Sequence, residues 1–340
     1  MSRLRIGVTP WRSGAEPLES GELLSAQAEF AESVGCHSFW LPESHFVEDA
    51  RPAPLLDLAH VAARTTTLRL GTTSLLLPIR HPILLAEEVA TLDRLSNGRL
   101  ILGVGRGFRK PLFRAMGIDP ADKRTLLESR LETMRRLWSG GPVSAPPPTP
   151  TAAVGDRAPV RPEAVDGAPT RPTLVPKPQQ DGGPPIWMAA FGPKALEQAA
   201  RLQLPYLASP LEGERRLRSN YEFLEQRAEE LEVASVNRRP VMRTVFAHDD
   251  PAVIRSVLEA LEIEAAGWLR RGAPVLRRAL EEPLEDRVLV GSPEMVADRL
   301  TRLRSDLGVT DVIVRAGVHG VSREASEDSI RAVVELARRL

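Results

Sequence analysis

LRLGTTSLLLPIRHPILLAEEVATLDRLSNGRLILGVG, residues 68–105, decides how the chain is read. An apolar run at 68–76 leads through His81-Pro82 into a stretch, 83–95, in which Leu85, Val89 and Leu92 recur at helical spacing. Asn97-Gly98 stops that helix, and a second apolar run follows at 100–104. Strand, helix and strand in this order call for parallel pairing through a right-handed crossover.

Outward from this segment the same unit repeats. Apolar runs at 4–9, 38–41, 186–189, 205–208, 241–247 and 310–315 precede helical stretches at 20–34, 55–64, 193–202, 212–231, 251–263 and 323–340, and 100–104 precedes 120–138. Eight such units are the number that closes a (β/α)8 barrel, an α/β fold with a parallel sheet. An open doubly wound sheet is the runner-up. It wants a glycine fingerprint after the first strand, where the chain reads Pro10-Trp11-Arg12-Ser13-Gly14. Ser292-Pro293-Glu294 opens one extra helix, 292–306, before the last strand. The rhythm breaks at 139–185, because 13 of the 30 prolines fall between Pro142 and Pro185. That stretch is expected to bury little, as a flexible Pro-rich insertion within one domain spanning 1–340. The charges of 264–286 read as a solvated helix face.

Composition narrows the function. Lys and Arg number 45 against 45 Asp and Glu, which removes the net-basic signature of a nucleic-acid or anionic-membrane binder. Cys36 alone forms no internal disulfide and no thiolate cluster. The start passes from two arginines straight into a strand-like run, so a soluble cytoplasmic protein is expected. No metal is expected either, since His248-Asp249-Asp250 has no partner at ligand spacing.

In a parallel barrel the reacting groups lie just after the strands, at their C-terminal ends. Those positions hold Trp11; Glu43, Ser44, His45 and Phe46; Thr73 and Ser74; Gly105, Arg106 and Phe108; and Ala190, Phe191, Gly192, Pro193 and Lys194. A Trp, two Phe, an Arg and a His around one mouth suit a flat aromatic cofactor carrying a phosphate. Arg106 between two glycines offers a planar fork to that phosphate, although a structural ion pair is the plainer reading of an Arg. The turn 190–194, opening a helix, adds free N–H groups, less the one that Pro193 lacks. His45, beside an acid and a hydroxyl, is the proton-transfer candidate.

These segments resemble the bacterial luciferase-like monooxygenase family, flavin- or deazaflavin-dependent (β/α)8 enzymes. The resemblance rests on Phe39-Trp40-Leu41-Pro42-Glu43-Ser44-His45-Phe46, on Gly71-Thr72-Thr73-Ser74 through His81-Pro82, and on Leu92-Asp93-Arg94-Leu95-Ser96-Asn97-Gly98-Arg99 running into Gly103-Val104-Gly105-Arg106-Gly107. It implies that Arg106 grips the flavin phosphate with 191–195 as a second clamp, and that Glu43, Thr73, Ser74, Gly105, Ala190, Phe191, Gly192 and Lys194 surround the cofactor. It further implies a cis peptide at Thr73-Ser74. Gly192 and Ala195 stand where relatives close to luciferase carry Ser and Thr, and Ser44 replaces the first of two histidines, so light emission is not expected. The implied chemistry uses reduced FMN from a separate flavin reductase and O2, by way of a flavin hydroperoxide, to oxygenate a small organic substrate. Trp11, Phe46 and Phe108 would wall out water, and His45 and Ser44 would manage protons. Two alternatives stand beside it: a deazaflavin-dependent hydride-transfer oxidoreductase, and a noncatalytic flavin-binding or partner subunit. A homodimer through the second and third helices is the family's expectation.

Overall fold

Strands and helices alternate through residues 3–11, 21–47, 50–143, 172–271, 280 and 282–340, which are the residues described by this computed structural model. The strands are β1 (Arg5–Val8), β2 (Ser38–Leu41), β3 (Arg69–Thr72), β4 (Leu75–Leu76), β5 (Leu100–Gly105), β6 (Ile186–Ala189), β7 (Tyr206–Leu207), β8 (Pro240–Ala247), β9 (Val288–Gly291) and β10 (Asp311–Arg315). The helices are α1 (Gly21–Val34), α2 (Pro54–Arg64), α3 (Pro82–Leu95), α4 (Lys110–Ala115), α5 (Lys123–Trp138), α6 (Pro193–Arg201), α7 (Glu214–Glu230), α8 (Pro251–Arg271), α9 (Leu284–Arg287), α10 (Pro293–Leu307) and α11 (Arg323–Arg339).

The strand ladders are parallel, in the order β7-β6-β5-β3-β2-β1-β10-β8-β9, with β4 against β5. β7 and β8 also meet. The Ala208 N–H donates to the Pro240 carbonyl at 3.1 Å, and the Met242 N–H donates to the Ala208 carbonyl at 3.0 Å. The sheet therefore curls until the two ends of its eight-strand run touch, which agrees with the alternating pattern of the sequence.

Side chains alternate between the two faces of each strand, so every strand supplies an inner and an outer set. Outward residues such as Val8, Phe39, Leu41, Leu70 and Val104 join the helices in the large core. Inward, Trp40, Ile101, Trp187, Leu207 and Ile313 form a separate cluster. Trp40 and Trp187 stack there with centroids 4.9 Å apart. A Cβ on Gly71 would fall 2.2 Å from the Trp40 ring, so glycine at that position makes room for the indole.

The sequence misjudged several details. The third expected strand, 68–76, is two strands, β3 and β4, separated by Thr73 and Ser74, whose peptide bond is cis. Strand β9 was missed because it follows the unrhythmic charged stretch 264–286 and runs straight into the next helix, and pairing with the end of β8 is what makes it extended. The fourth helix starts at Lys123, after the short α4, rather than at residue 120. Glu264 does not lie on a solvated face, because its carboxylate takes two bonds from Arg315 at 2.7 and 2.5 Å. Within the expected insertion, 144–171 lie outside the described residues, and the flanks on both sides pack. Pro142 bridges Thr173, Leu174 is 2% exposed, and the Asp93 carboxylate accepts from the N–H and the side-chain amide of Gln180 at 2.7 Å each. A composition averaged over the whole segment hides such anchors.

Candidate active site

The loop after β2 is built around Glu43, whose side chain is fully buried. Its Oε2 accepts the Leu76 N–H at 2.6 Å, and its Oε1 accepts from Arg80 Nη2 at 2.9 Å and from His45 Nε2 at 2.8 Å. The carboxylate is thus occupied by the protein itself, and Glu43 positions the loop rather than reaching a cofactor. A carboxylate only accepts, so Nε2 must carry the proton, and in the neutral ring Nδ1 keeps the free lone pair. Ser44 closes the same loop by accepting the Arg51 N–H at 2.9 Å, while its own N–H donates to the Arg51 carbonyl at 3.0 Å. Arg109 Nη1 donates to the His45 carbonyl at 2.7 Å and so ties the loop after β5 to the loop after β2.

Three positions were expected to form an apolar wall, and they divide. Phe46, 68% exposed, and Phe108, 48% exposed, stand on these two tied loops. Trp11 is not on the mouth. It is fully buried, packs edge-on against Phe30 of α1 at 5.8 Å, and its backbone N–H donates to Gln27 at 3.2 Å. The chain has already turned beneath α1 at Trp11, and a large indole there serves the outer core.

Above the tryptophan layer β5 and β6 present small inward residues. Gly105 and Ala189 lie in register on β5 and β6, and a Cβ on Gly105 would meet Ser74 Oγ at 2.2 Å. Thr73 is held by donation of its N–H to the Leu41 carbonyl at 2.7 Å.

Arg106 follows at the rim, half-buried, and among the described residues it has no hydrogen-bond or ion-pair partner. Burial first, then the neighbouring Arg124, push its guanidinium below the ordinary value, and Glu128 opposes them. The structural ion pair that is the plainer reading of an Arg is therefore not formed. Beside it, at the end of the neighbouring strand β6, stands the start of α6. Gly192 caps it at φ +82°, a left-handed conformation that glycine adopts freely, with open space where a Cβ would be. Ala190 is buried, Phe191 and Gly192 are half-buried, and Lys194 is exposed. A phosphate fits this setting on chemical grounds. An unpartnered fork follows β5, and Lys194 at the start of α6 offers its N–H and its ammonium, whereas the Ala195 and Leu196 N–H groups already donate to the Gly192 carbonyl.

Sequence reasoning missed Arg80, Arg109 and Arg124. None is flanked by glycine or follows a strand directly, and only their contacts reveal them. Arg124 lines a cleft of about 290 Å³ with Glu128, Lys194, Gln198 and Arg201, between α5 and α6.

Comparisons with known proteins place the chain by sequence and fold. A flavin-dependent trigonelline monooxygenase, oxygenase component, of Acinetobacter baylyi is 30% identical over 191 residues, 54% of this chain and 47% of that protein. The chain spans about half the length of the curated relatives it matches first. In three dimensions it resembles the oxygenating constituent of 3,6-diketocamphane monooxygenase from Pseudomonas putida, a type II Baeyer-Villiger monooxygenase solved with FMN. That likeness has a TM-score of 0.81 and 21% identity, and covers 100% and 99% of the two chains. An F420-dependent secondary alcohol dehydrogenase, solved with an F420-acetone adduct, has a TM-score of 0.73 and 18% identity over 99% and 100% of the chains. Residues 6–311 match the family model described as luciferase-like monooxygenase, and the chain belongs to that family.

Proposed function

We propose that this chain is a flavin-dependent monooxygenase acting as the oxygenating half of a two-component system. It takes reduced FMN from a separate flavin reductase and uses O2 to oxygenate a small organic substrate. The single observation that carries the reading is the half-buried, unpartnered Arg106 guanidinium at the C-terminal rim of the strands, beside the small residues Gly105 and Ala189. The FMN complex of the Pseudomonas relative and the oxygenase-component name of the Acinetobacter relative support it.

When bound, reduced FMN supplies the electrons with which O2 is activated. The chain's own share is to bind, orient and shield. Arg106 and the N–H and ammonium of Lys194 hold the phosphate, and Thr73, Ser74 and Gly105 border the ring. His45, fixed through Nε2 by Glu43, accepts or returns a proton at Nδ1, with the Ser44 hydroxyl beside it. Phe46 and Phe108 keep water from the reacting face once substrate covers them. Leu56 on α2 and Leu84 and Leu95 on α3 are exposed large apolar residues, and the same proposal gives them to a homodimer.

Anaerobic titration with reduced FMN and with a reduced deazaflavin tests the reading, followed by O2 uptake in the presence of a reductase and candidate substrates. The expected result is tight FMN binding and substrate-dependent O2 uptake. Saturation by the deazaflavin alone, with hydride transfer and no O2 uptake, would reassign the chain to the hydride-transfer oxidoreductases. Flavin binding without turnover of any substrate would make it a noncatalytic subunit.

A further inference from the structure

The molecule is neutral, with 45 cationic and 45 acidic residues, and arginines elsewhere in it are widely paired: Arg80 with Glu43, Arg201 with Glu128, Arg227 with Glu197, Arg315 with Glu264. One region departs from that pattern. Arg106, Lys110, Lys123, Arg124 and Lys194 form no ion pair among the described residues. They lie together: Lys110 opens α4 and Lys123 and Arg124 open α5, the two helices that follow Arg106. Arg124 shares a cleft with Lys194 at the start of α6, and the low value of Lys123, from burial and then Arg106, Lys110 and Arg124, agrees. The two acids that line the cleft between α5 and α6 are already engaged, and Asp119 and Asp122 before α5 offset only part of the positive charge. Glu128 binds Arg201 and accepts from the Gln198 amide at 2.6 Å, and Glu197 takes two bonds from Arg227 at 2.6 Å each.

The placement runs against the helix as well. Lys123 and Arg124 begin α5 directly after its N-cap Asp122, and the first turn itself holds no acid, so both cations sit at the positive end of the helix dipole with one carboxylate against them. Arg124 and Lys194 line the same 290 Å³ cleft, into whose wall Gln198 is packed at 1% exposure with its Oε1 unpartnered. More uncompensated charge is concentrated here than one phosphate dianion can contact, and much of it lies outside the Arg106 position.

We infer that Lys110, Lys123 and Arg124 form a capture apron that draws the phosphate of a freely diffusing flavin toward Arg106 from outside the binding site. The inference rests on the flavin reading above. A lone guanidinium holds a phosphate once it arrives, whereas a field of unpaired cations raises the rate of arrival. The ligand class is a small dianionic phosphate ester, taken from solution rather than passed within a stable complex. That arrangement suits a reduced cofactor whose free lifetime in the presence of O2 is short.

Stopped-flow fluorescence of FMN binding, from low to high salt, tests this on the full chain and on the Lys123→Gln/Arg124→Gln double variant, with riboflavin as the uncharged probe. The wild-type association rate should fall steeply with salt. In the variant it should be roughly tenfold lower at low salt and fall less steeply with salt, the remaining dependence belonging to Arg106, Lys110 and Lys194. FMN dissociation and both riboflavin rates should stay within about twofold, which also reports an intact fold. An unchanged association rate, or a loss carried by faster dissociation, would overturn the apron while leaving the phosphate site standing. A wild-type chain that binds no FMN would overturn both.

Discussion

Arg106 and Gly105 carry most of the weight at the scale of single residues. A charge-assisted bond to phosphate contributes about 1.5–3 kcal/mol, so Arg106→Ala should weaken FMN roughly 10- to 100-fold and leave riboflavin unaffected, read by flavin fluorescence titration. Gly105→Ala puts a methyl against Ser74 Oγ, and overpacking of that kind costs about 1–3 kcal/mol. A lowered urea midpoint together with weaker FMN binding is the expected result. Arg106 was legible because a guanidinium between two glycines at a strand end is an unusual local arrangement. Glu43 was half legible: its place was right, but whether a carboxylate faces a cofactor or braces a loop depends on Arg80 and on the Leu76 N–H, which sequence spacing does not bring together. Trp11 was misread for a related reason, since the residue after a strand points to the mouth only if the chain has not yet turned outward.

Among the elements, the N-terminal ends of the strands gather a second titratable group. His37 precedes β2, and burial brings its imidazole to about 4, Asp311 pulling the other way and Arg5, Arg238 and Arg69 repelling the charge. The unfolded chain takes up that proton near pH ~6.5. Below that point the unfolded state binds more protons than the folded one. The contribution to stability is therefore whole above about pH 6.5 and drains away as pH falls toward the folded value, by on the order of 2 kcal/mol for a partly solvated ring. Urea midpoints at pH 7 and pH 5 should accordingly drop further for the wild type than for His37→Gln. The stretch 92–99, which contributed to the resemblance, also works at this level. Arg99 donates to the carbonyls of Ser96, Leu68 and Ala62 and to the Thr65 hydroxyl, and Asp93 fastens Gln180, so these residues hold backbone rather than cofactor. Helices α1, α3 and α11 were readable from their period, whereas β9 stands between a charged stretch and a helix and owes its extension to the end of β8.

For the molecule as a whole, the eightfold alternation was legible because each unit repeats the same hydrophobic rhythm, and closure follows once the parallel order is fixed. Charge was deceptive at this scale: a zero sum concealed the local excess around Lys123, since totals carry no positions. If the exposed leucines of α2 and α3 meet a second copy, a Leu84→Glu/Leu95→Glu variant should sediment at half the wild-type mass while its secondary structure, by circular dichroism, persists. The stacked pair Trp40 and Trp187 gives the chain an optical property of its own. Indole emission overlaps flavin absorption, so a flavin seated directly above the pair should dim their ultraviolet glow by energy transfer. Replacing Trp187 by Phe should remove much of that quenching, which makes the barrel floor a label-free gauge of occupancy.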